Sequence, residues 1–122
     1  MLTQMSDAAS SEFSTALAVH GALAPGREKH GQIAMIGGRW RPGAVRCRLA
    51  PKGWGVAFGY PGLVLGSDGE AVEVQVFASG DLPAHWERLD GFEGPGYRRV
   101  PVKVDLAPTP RIASIYVLAE QA

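Results

Sequence analysis

The segment from Trp86 to Tyr97, W-E-R-L-D-G-F-E-G-P-G-Y, is the most informative stretch of the sequence. Leu82, Trp86 and Leu89 are spaced i, i+4, i+7, which places apolar side chains on one face of a helix. Gly91 interrupts this pattern two residues after Leu89, so the sequence predicts that the helix ends there. The glycines and proline that follow predict a tight turn whose backbone can lie close to a ligand.

Glu93 is the candidate functional residue of this segment because it follows the predicted helix and precedes the Gly-Pro-Gly turn. Phe92 and Tyr97 would shield its carboxylate from water, and desolvation raises the pKa of a carboxyl group toward the range useful for proton transfer. An ordinary solvated glutamate is the competing interpretation, since most loop carboxylates serve solubility. The local pattern alone favours that second interpretation.

The composition is typical of one folded domain. The chain has 122 residues, of which 46% are hydrophobic, enough for a single core. Lys plus Arg and Asp plus Glu each total 12, and this balance argues against nucleic acid or an acidic membrane surface as a partner. The single cysteine, Cys47, permits no internal disulfide and suits the cytoplasm, and no apolar run is long enough to cross a membrane.

Five or six short strands are predicted from apolar runs and from alternation of apolar and polar residues. The predicted strands are Ala16 to Val19, Trp40 to Leu49, Leu63 to Leu65, Glu70 to Phe77, Arg98 to Leu106 and Ile112 to Leu118. The segment Gly66 to Gly69 is typical of a hairpin turn, which predicts that the strands before and after it pair with each other. A weak helical pattern, interrupted by Gly31, runs from Arg27 to Ile36.

Short strands with little helix to cover them are buried most economically when the sheet curls into a small barrel. The sequence therefore predicts an α+β fold with the helix near Pro83 to Asp90 outside the barrel. Residues 1–14 are small and polar without periodicity, which predicts a disordered leader before a single domain of residues 15–122.

A second loop of interest, H-G-A-L-A-P-G from His20 to Gly26, follows the first predicted strand. A strand that runs into a glycine turn leaves successive backbone N–H groups free to bind an anion. Taken alone, the segment is more typical of a structural turn.

Together, the two loops resemble motifs of the gamma-glutamylcyclotransferase-like family. The later family signature, L-D-x-x-E-G-x-G-Y-x-R, is matched in full by residues 89–99. The first family motif, an apolar strand followed by Y-G-(S/T)-L, is similar to the segment that begins at His20. Residues 40–49 resemble the family segment x-x-P-G-x-V-x-G-x-L, and residues 60–63 resemble its Y-P-G/A segment, so that the resemblance covers about residues 15–120.

The resemblance implies a small mixed β-barrel with flanking short helices and a polar pocket at one end. It implies that Glu93 is the proton-transfer residue of a gamma-glutamyl cyclotransferase, which cyclises a small gamma-glutamyl amino acid or amine to 5-oxoproline and releases the amine. Backbone amides of the first loop would hold the substrate, with aromatic and imidazole side chains around the pocket. The implied substrate-binding residues are His20, Gly21, Ala22, Leu23, Tyr60 and Tyr97.

Two departures from the family motifs keep a second function open. His20 stands where the family has tyrosine, and Ala22 where it has serine or threonine. A catalytically silent module of the same fold that binds a small acidic or amide ligand would also fit these changes, whereas the presence of Glu93 favours the enzyme. We expect no metal, because the three histidines lack metal-ligand spacing, and no cofactor, because the cyclisation requires none. The oligomeric state stays open.

Overall fold

The structure is a computed structural model that describes residues 13–20, 26–27, 30–50, 62–66, 69–106 and 109–119. Within these ranges lie six strands and two short α-helices. The strands are β1 (Ala16–Val19), β2 (Arg39–Ala50), β3 (Gly62–Leu65), β4 (Glu70–Ala78), β5 (Tyr97–Val104) and β6 (Arg111–Leu118). The helices are α1 (Gly31–Ala34) and α2 (Trp86–Glu93), and a 3₁₀ turn, Leu82–His85, leads into α2.

The strands form one mixed sheet in the order β3-β2-β4-β1-β6-β5. Neighbouring strands are antiparallel except β1 and β6, which run parallel. A further bridge between Ala44 and Asp105 joins β2 to the residue after β5, so the sheet curls back toward itself as a half-barrel. The α+β class and the small barrel-like sheet with short helices, both predicted above, are confirmed.

Alternation along the strands divides the core into two clusters on opposite faces of the sheet. One cluster consists of strand residues alone, among them Val45, Val74, Val76, Val104, Ile115 and Val117, and fills the inside of the curl. On the other face, Leu17, Phe77 and Tyr116 pack against residues of the two helices and the 3₁₀ turn, namely Ile33, Leu82, Trp86 and Leu89. Full burial of side chains such as Leu89 contributes roughly 2 kcal/mol each and holds α2 on the sheet.

The predicted strands agree with the observed ones to within a few residues, but two details are wrong. Leu49 is 47% exposed, although alternation along the predicted strand Trp40 to Leu49 places it on the same face as the buried Cys47. The strands on either side of the Gly66 to Gly69 segment do not pair with each other. Both pair with β2, where Leu65 and Glu70 are each opposite Cys47, because the 12-residue β2 offers hydrogen-bonding partners along its length to both.

Helix α2 also ends later than predicted. The helix passes through Gly91 and ends at Glu93, so Glu93 is its last residue and not the first residue beyond it. Gly94 then has φ 83°, a left-handed conformation that glycine adopts easily, and its N–H donates to the Asp90 carbonyl at 3.1 Å. A glycine inside a helix costs about 1 kcal/mol, which the packing of Trp86 and Leu89 offsets.

Residues 1–12 of the predicted leader lie outside the described residues. Two residues that follow them accept hydrogen bonds from the domain. The Ser14 carbonyl accepts from Trp86 Nε1 at 2.8 Å, and the Phe13 carbonyl accepts from Ser114 Oγ at 2.6 Å. No helix within the described ranges has the length and apolar character needed to span a membrane.

Candidate active site

Glu93 lies at the junction between α2 and β5. Its side chain is buried, with 8% exposure, although it is the last residue of the helix. The left-handed Gly94 turns the chain out of the helix, and the Tyr97 N–H closes the turn on the Gly94 carbonyl at 3.2 Å. Strand β5 begins at Tyr97, so the carboxyl group is held between two elements that both pack on the core.

Burial and, in smaller part, the negative charge of Asp90 together raise the pKa of Glu93 from an ordinary value of 4.5 to about 7. The sequence predicted this direction from aromatic neighbours, and Phe92 and Tyr97 do pack at the edge of the helix-side cluster. The contribution of Asp90 was not predicted. A carboxyl group with a pKa of about 7 is present in both protonation states at neutral pH, as required of a group that accepts and then donates a proton.

Asp90, one helical turn before Glu93, is bound by two strands. Tyr116 Oη of β6 donates to Asp90 Oδ1 at 2.6 Å. Arg99 of β5 donates from Nε to Oδ1 at 2.9 Å and from Nη2 to Oδ2 at 3.2 Å, which is a bidentate ion pair. Burial alone would raise the pKa of Asp90, but the hydrogen bonds from Arg99 and Tyr116 outweigh it and hold the pKa below its usual range.

Arg99 and Tyr116 are themselves fixed in place. The guanidinium of Arg99 lies 4.1 Å from the centre of the Trp86 ring, a cation–π contact with the first residue of α2. The pKa of Tyr116 is raised by burial, by its hydrogen bond to Asp90 and by the Asp90 charge, so its hydroxyl is always a donor. At neutral pH the cluster therefore contains one anion, one cation, one neutral donor and the titrating Glu93.

His20 and Tyr97 lie at the same end of the sheet as Glu93. The parallel pairing of Ala18 with Ile115 places His20, two residues further along, level with Val117 of β6. On the other side of β6, Tyr97 pairs with Leu118. The remaining predicted substrate-binding residues, Gly21, Ala22, Leu23 and Tyr60, lie outside the described residues.

The His20 ring is partly shielded. Burial lowers the pKa of His20. A contact of the ring with the backbone of His20 itself partly offsets this, and the positive charge of Arg27 lowers the pKa further. Its Nδ1 atom is shielded from solvent and has no hydrogen-bond partner in the described part of the chain. The lowered pKa makes His20 a neutral ring at pH 7.

Four residues of this cluster were not predicted as site residues, although the signature includes two of them. Asp90 lies three residues before Glu93, a spacing that places both on one side of a helix, and this could have indicated the charge pair. The ion pair of Arg99 with Asp90 joins residues 9 positions apart, and the contact of Arg99 with the Trp86 ring joins residues 13 positions apart. Neither can be recognised until the position of β5 is known. The hydrogen bond from Tyr116 to Asp90 joins residues 26 positions apart, and no local pattern indicates it.

Several solved structures, among them the three below, resemble this fold, whereas no protein-family model and no curated protein matches the sequence. YkqA from Bacillus subtilis is 24% identical with a TM-score of 0.66, over 86% of this chain and 36% of YkqA. An AIG2-like protein from Mus musculus, also designated GGACT, is 21% identical with a TM-score of 0.67, over 88% of this chain and 79% of that one. An uncharacterized protein from Pyrococcus horikoshii is 21% identical with a TM-score of 0.64, over 88% and 80% of the two chains.

These similarities establish the fold. The protein has the gamma-glutamylcyclotransferase-like fold, as the resemblance of its two loops predicted. The match spans about a third of the length of YkqA and most of the other two chains. Identities below 25% show the fold and do not show the role of any residue.

Proposed function

We propose that the protein is a gamma-glutamyl cyclotransferase that converts a small gamma-glutamyl amino acid or amine to 5-oxoproline and the free amine, with Glu93 as the proton carrier. The observation that supports this most directly is the buried Glu93 carboxyl with a pKa of about 7, at the end of the sheet that also holds His20 and Tyr97. A carboxyl that serves only solubility would be exposed, with its pKa near 4.5.

The proposed reaction needs one group that first accepts and then donates a proton. The Glu93 carboxylate takes a proton from the α-ammonium of the substrate, and the freed amine attacks the γ-carbonyl carbon. The new C–N bond closes the ring while the carbonyl π electrons move onto oxygen. The leaving nitrogen takes the proton from Glu93, and its bond to the carbon breaks as the carbonyl forms again. The ring nitrogen still carries an extra proton from the attacking amine; the Glu93 carboxylate accepts this second proton and passes it to the released amine, which departs as an ammonium ion. Glu93 is ionised again at the end of the cycle.

Tethering supplies much of the rate in this scheme. The nucleophile and the carbonyl belong to one molecule, and well-oriented intramolecular reactions reach effective concentrations of roughly 10⁵ M or more. The protein must then only curl the substrate, stabilise the oxyanion and move one proton. The backbone amides of Gly21, Ala22 and Leu23 remain the predicted donors to the substrate carboxylate or the oxyanion. Glu93 carries the proton.

A catalytically silent binding module is the second candidate, and His20 is the observation that favours it. Its neutral ring, with a shielded Nδ1, stands where the gamma-glutamylcyclotransferase-like family has a tyrosine. Such a ring would hydrogen-bond a carboxylic acid or amide ligand without taking part in cyclisation.

One experiment separates the two candidates. A panel of gamma-glutamyl amino acids and amines is incubated with the wild type, Glu93→Gln and Glu87→Gln, and 5-oxoproline is measured. Glu87 is an exposed residue of the same helix and is the matched control. Turnover by the wild type and Glu87→Gln, but not by Glu93→Gln, supports the enzyme. Binding of a panel compound by calorimetry without any 5-oxoproline supports the module.

A further inference from the structure

We propose that Asp90 is a positioning residue for Glu93. Held by Arg99 and Tyr116, it fixes the last turn of α2 and places a permanent negative charge beside the Glu93 carboxyl. This inference rests on the proposed function in taking Glu93 as the proton carrier. Asp90 itself is not required to touch the substrate.

The geometry supports a fixed carboxylate at position 90. Three donors from two strands reach its two oxygens, at 2.6, 2.9 and 3.2 Å. Two of them belong to one guanidinium, whose fork geometry leaves the carboxylate little freedom to rotate. The Asp90 carbonyl also accepts the Gly94 N–H, so the same residue holds the turn that follows Glu93.

Several titratable or charged groups lie on the elements around Glu93. From β5 come Arg99 and Tyr97, from β6 comes Tyr116, and His20 follows β1 at the same end of the sheet. Tyr116 and His20 are neutral at pH 7 for the reasons given above. Among the described residues, the Asp90 charge raises the pKa of Glu93, and the Arg99 cation bound to Asp90 has the opposite sign.

Asp90 is the closer of these two charges along the chain. Residues three apart on a helix have Cβ atoms about 5–6 Å from each other. The Arg99 guanidinium, by contrast, is bound to the Asp90 carboxylate. The Asp90 side chain is 45% exposed, so water weakens its field without removing it. The result is a Glu93 carboxyl that is present in both protonation states near pH 7, and a cationic substrate ammonium would favour the carboxylate on binding.

Two variants, one that removes the negative charge of Asp90 and one that removes the positive charge of Arg99, test this inference. The titration midpoint of the Glu93 side-chain carboxyl is measured by carbon NMR in the wild type, Asp90→Asn, Arg99→Gln and the control Glu87→Gln. We expect Asp90→Asn to lower the midpoint by between about 0.5 and 1 pH unit, the lower value applying if water screens most of the charge. We expect Arg99→Gln to raise it, because Asp90 loses the cation that offsets its charge but keeps the Tyr116 hydrogen bond.

A purely structural role for Asp90 would give a different result. Loosening the turn would expose Glu93 to water and lower its midpoint in both variants, since both break the same ion pair. A fall in Arg99→Gln, or an unchanged midpoint in Asp90→Asn, would therefore overturn the inference. If circular dichroism shows that Asp90→Asn does not fold, Arg99→Gln decides alone: a raised midpoint supports the inference, and an unchanged or lowered one rejects it.

The titration also distinguishes this inference from the proposed function. It is read without substrate, so the expected shifts can appear in a protein that turns over no gamma-glutamyl compound. That outcome would reject the cyclotransferase and leave the charge pair established. If the wild type is active, the acid limb of its kcat/KM profile should move in the same direction as the NMR midpoint in each variant.

Discussion

The two ends of β5 hold similar charged groups in opposite environments. Beyond its Tyr97 end, the Glu93 carboxyl is 8% exposed and lies next to a bidentate ion pair. At its Val104 end, the exposed Lys103 and Asp105 line an open surface cavity of about 420 Å³ together with Arg46. Water screens the charges at the Val104 end, whereas it is largely excluded from the Glu93 carboxyl beyond the Tyr97 end. The capacity for proton transfer at neutral pH therefore depends on the burial of a carboxyl group and not on the mere presence of charged residues.

The largest expected effect is on turnover. Glu93→Gln keeps the size and hydrogen-bonding capacity of the side chain but cannot accept a proton, so the rate of 5-oxoproline formation should fall at least about 100-fold. Asp105→Asn, which removes a carboxylate from the other end of β5, is the control and should retain the wild-type rate. Turnover by Glu93→Gln at the wild-type rate would remove Glu93 from the mechanism.

The next effect concerns the pH dependence of stability. Since the folded-state pKa of Glu93 is about 7 and its ordinary value is 4.5, the folded protein holds a proton that the unfolded chain releases between these values. The contribution of Glu93 to the free energy of unfolding is thus greatest below pH 4.5 and is lost as pH rises to about 7. The difference amounts to roughly 3 kcal/mol.

Glu93→Gln has no such proton to lose. Relative to the wild type, its free energy of unfolding should increase as pH rises through this window, as measured by urea denaturation at several pH values. Asp105→Asn should track the wild type throughout. A constant difference between Glu93→Gln and the wild type would contradict a raised pKa for Glu93.

A smaller effect is expected at Tyr116. Tyr116→Phe removes the donor to Asp90 Oδ1 and should cost about 1 kcal/mol of stability, because the half-exposed carboxylate can bind water in its place. In the background of Asp90→Asn the same change should cost less, and the difference measures the coupling of the two side chains. Equal costs in both backgrounds would show that the charge of Asp90 adds nothing to this hydrogen bond.

The smallest effect is expected for Asp105→Asn itself. Its side chain is exposed, and its pairing with Ala44 uses backbone atoms only, through hydrogen bonds of 2.9 Å in each direction. The free energy of unfolding should stay within about 0.5 kcal/mol of the wild-type value. A larger loss, measured by the same urea denaturation, would mean that charge also matters at the solvated end of β5.

The sequence indicated the environment of some of these residues and not of others. Glu93 was singled out because apolar periodicity placed a helix before it and a glycine turn after it. The buried Val74 and Val76 followed from alternation in the same way. The exposure of Leu49 did not, since its spacing is the same as that of Cys47 and only the extent of the surrounding sheet distinguishes them.

The sequence by itself determined the strand-rich α+β class, the α2 helix and the candidate carboxyl, because all of these depend on residues a few positions apart. Tertiary structure decided that β3 and β4 both pair with β2 and that Tyr116 reaches Asp90 across 26 residues. Periodicity reports which face of an element is apolar but not which element covers it. The Asp90 charge beside Glu93 depends on which elements pack against α2, because strands distant in sequence supply the donors that keep Asp90 ionised.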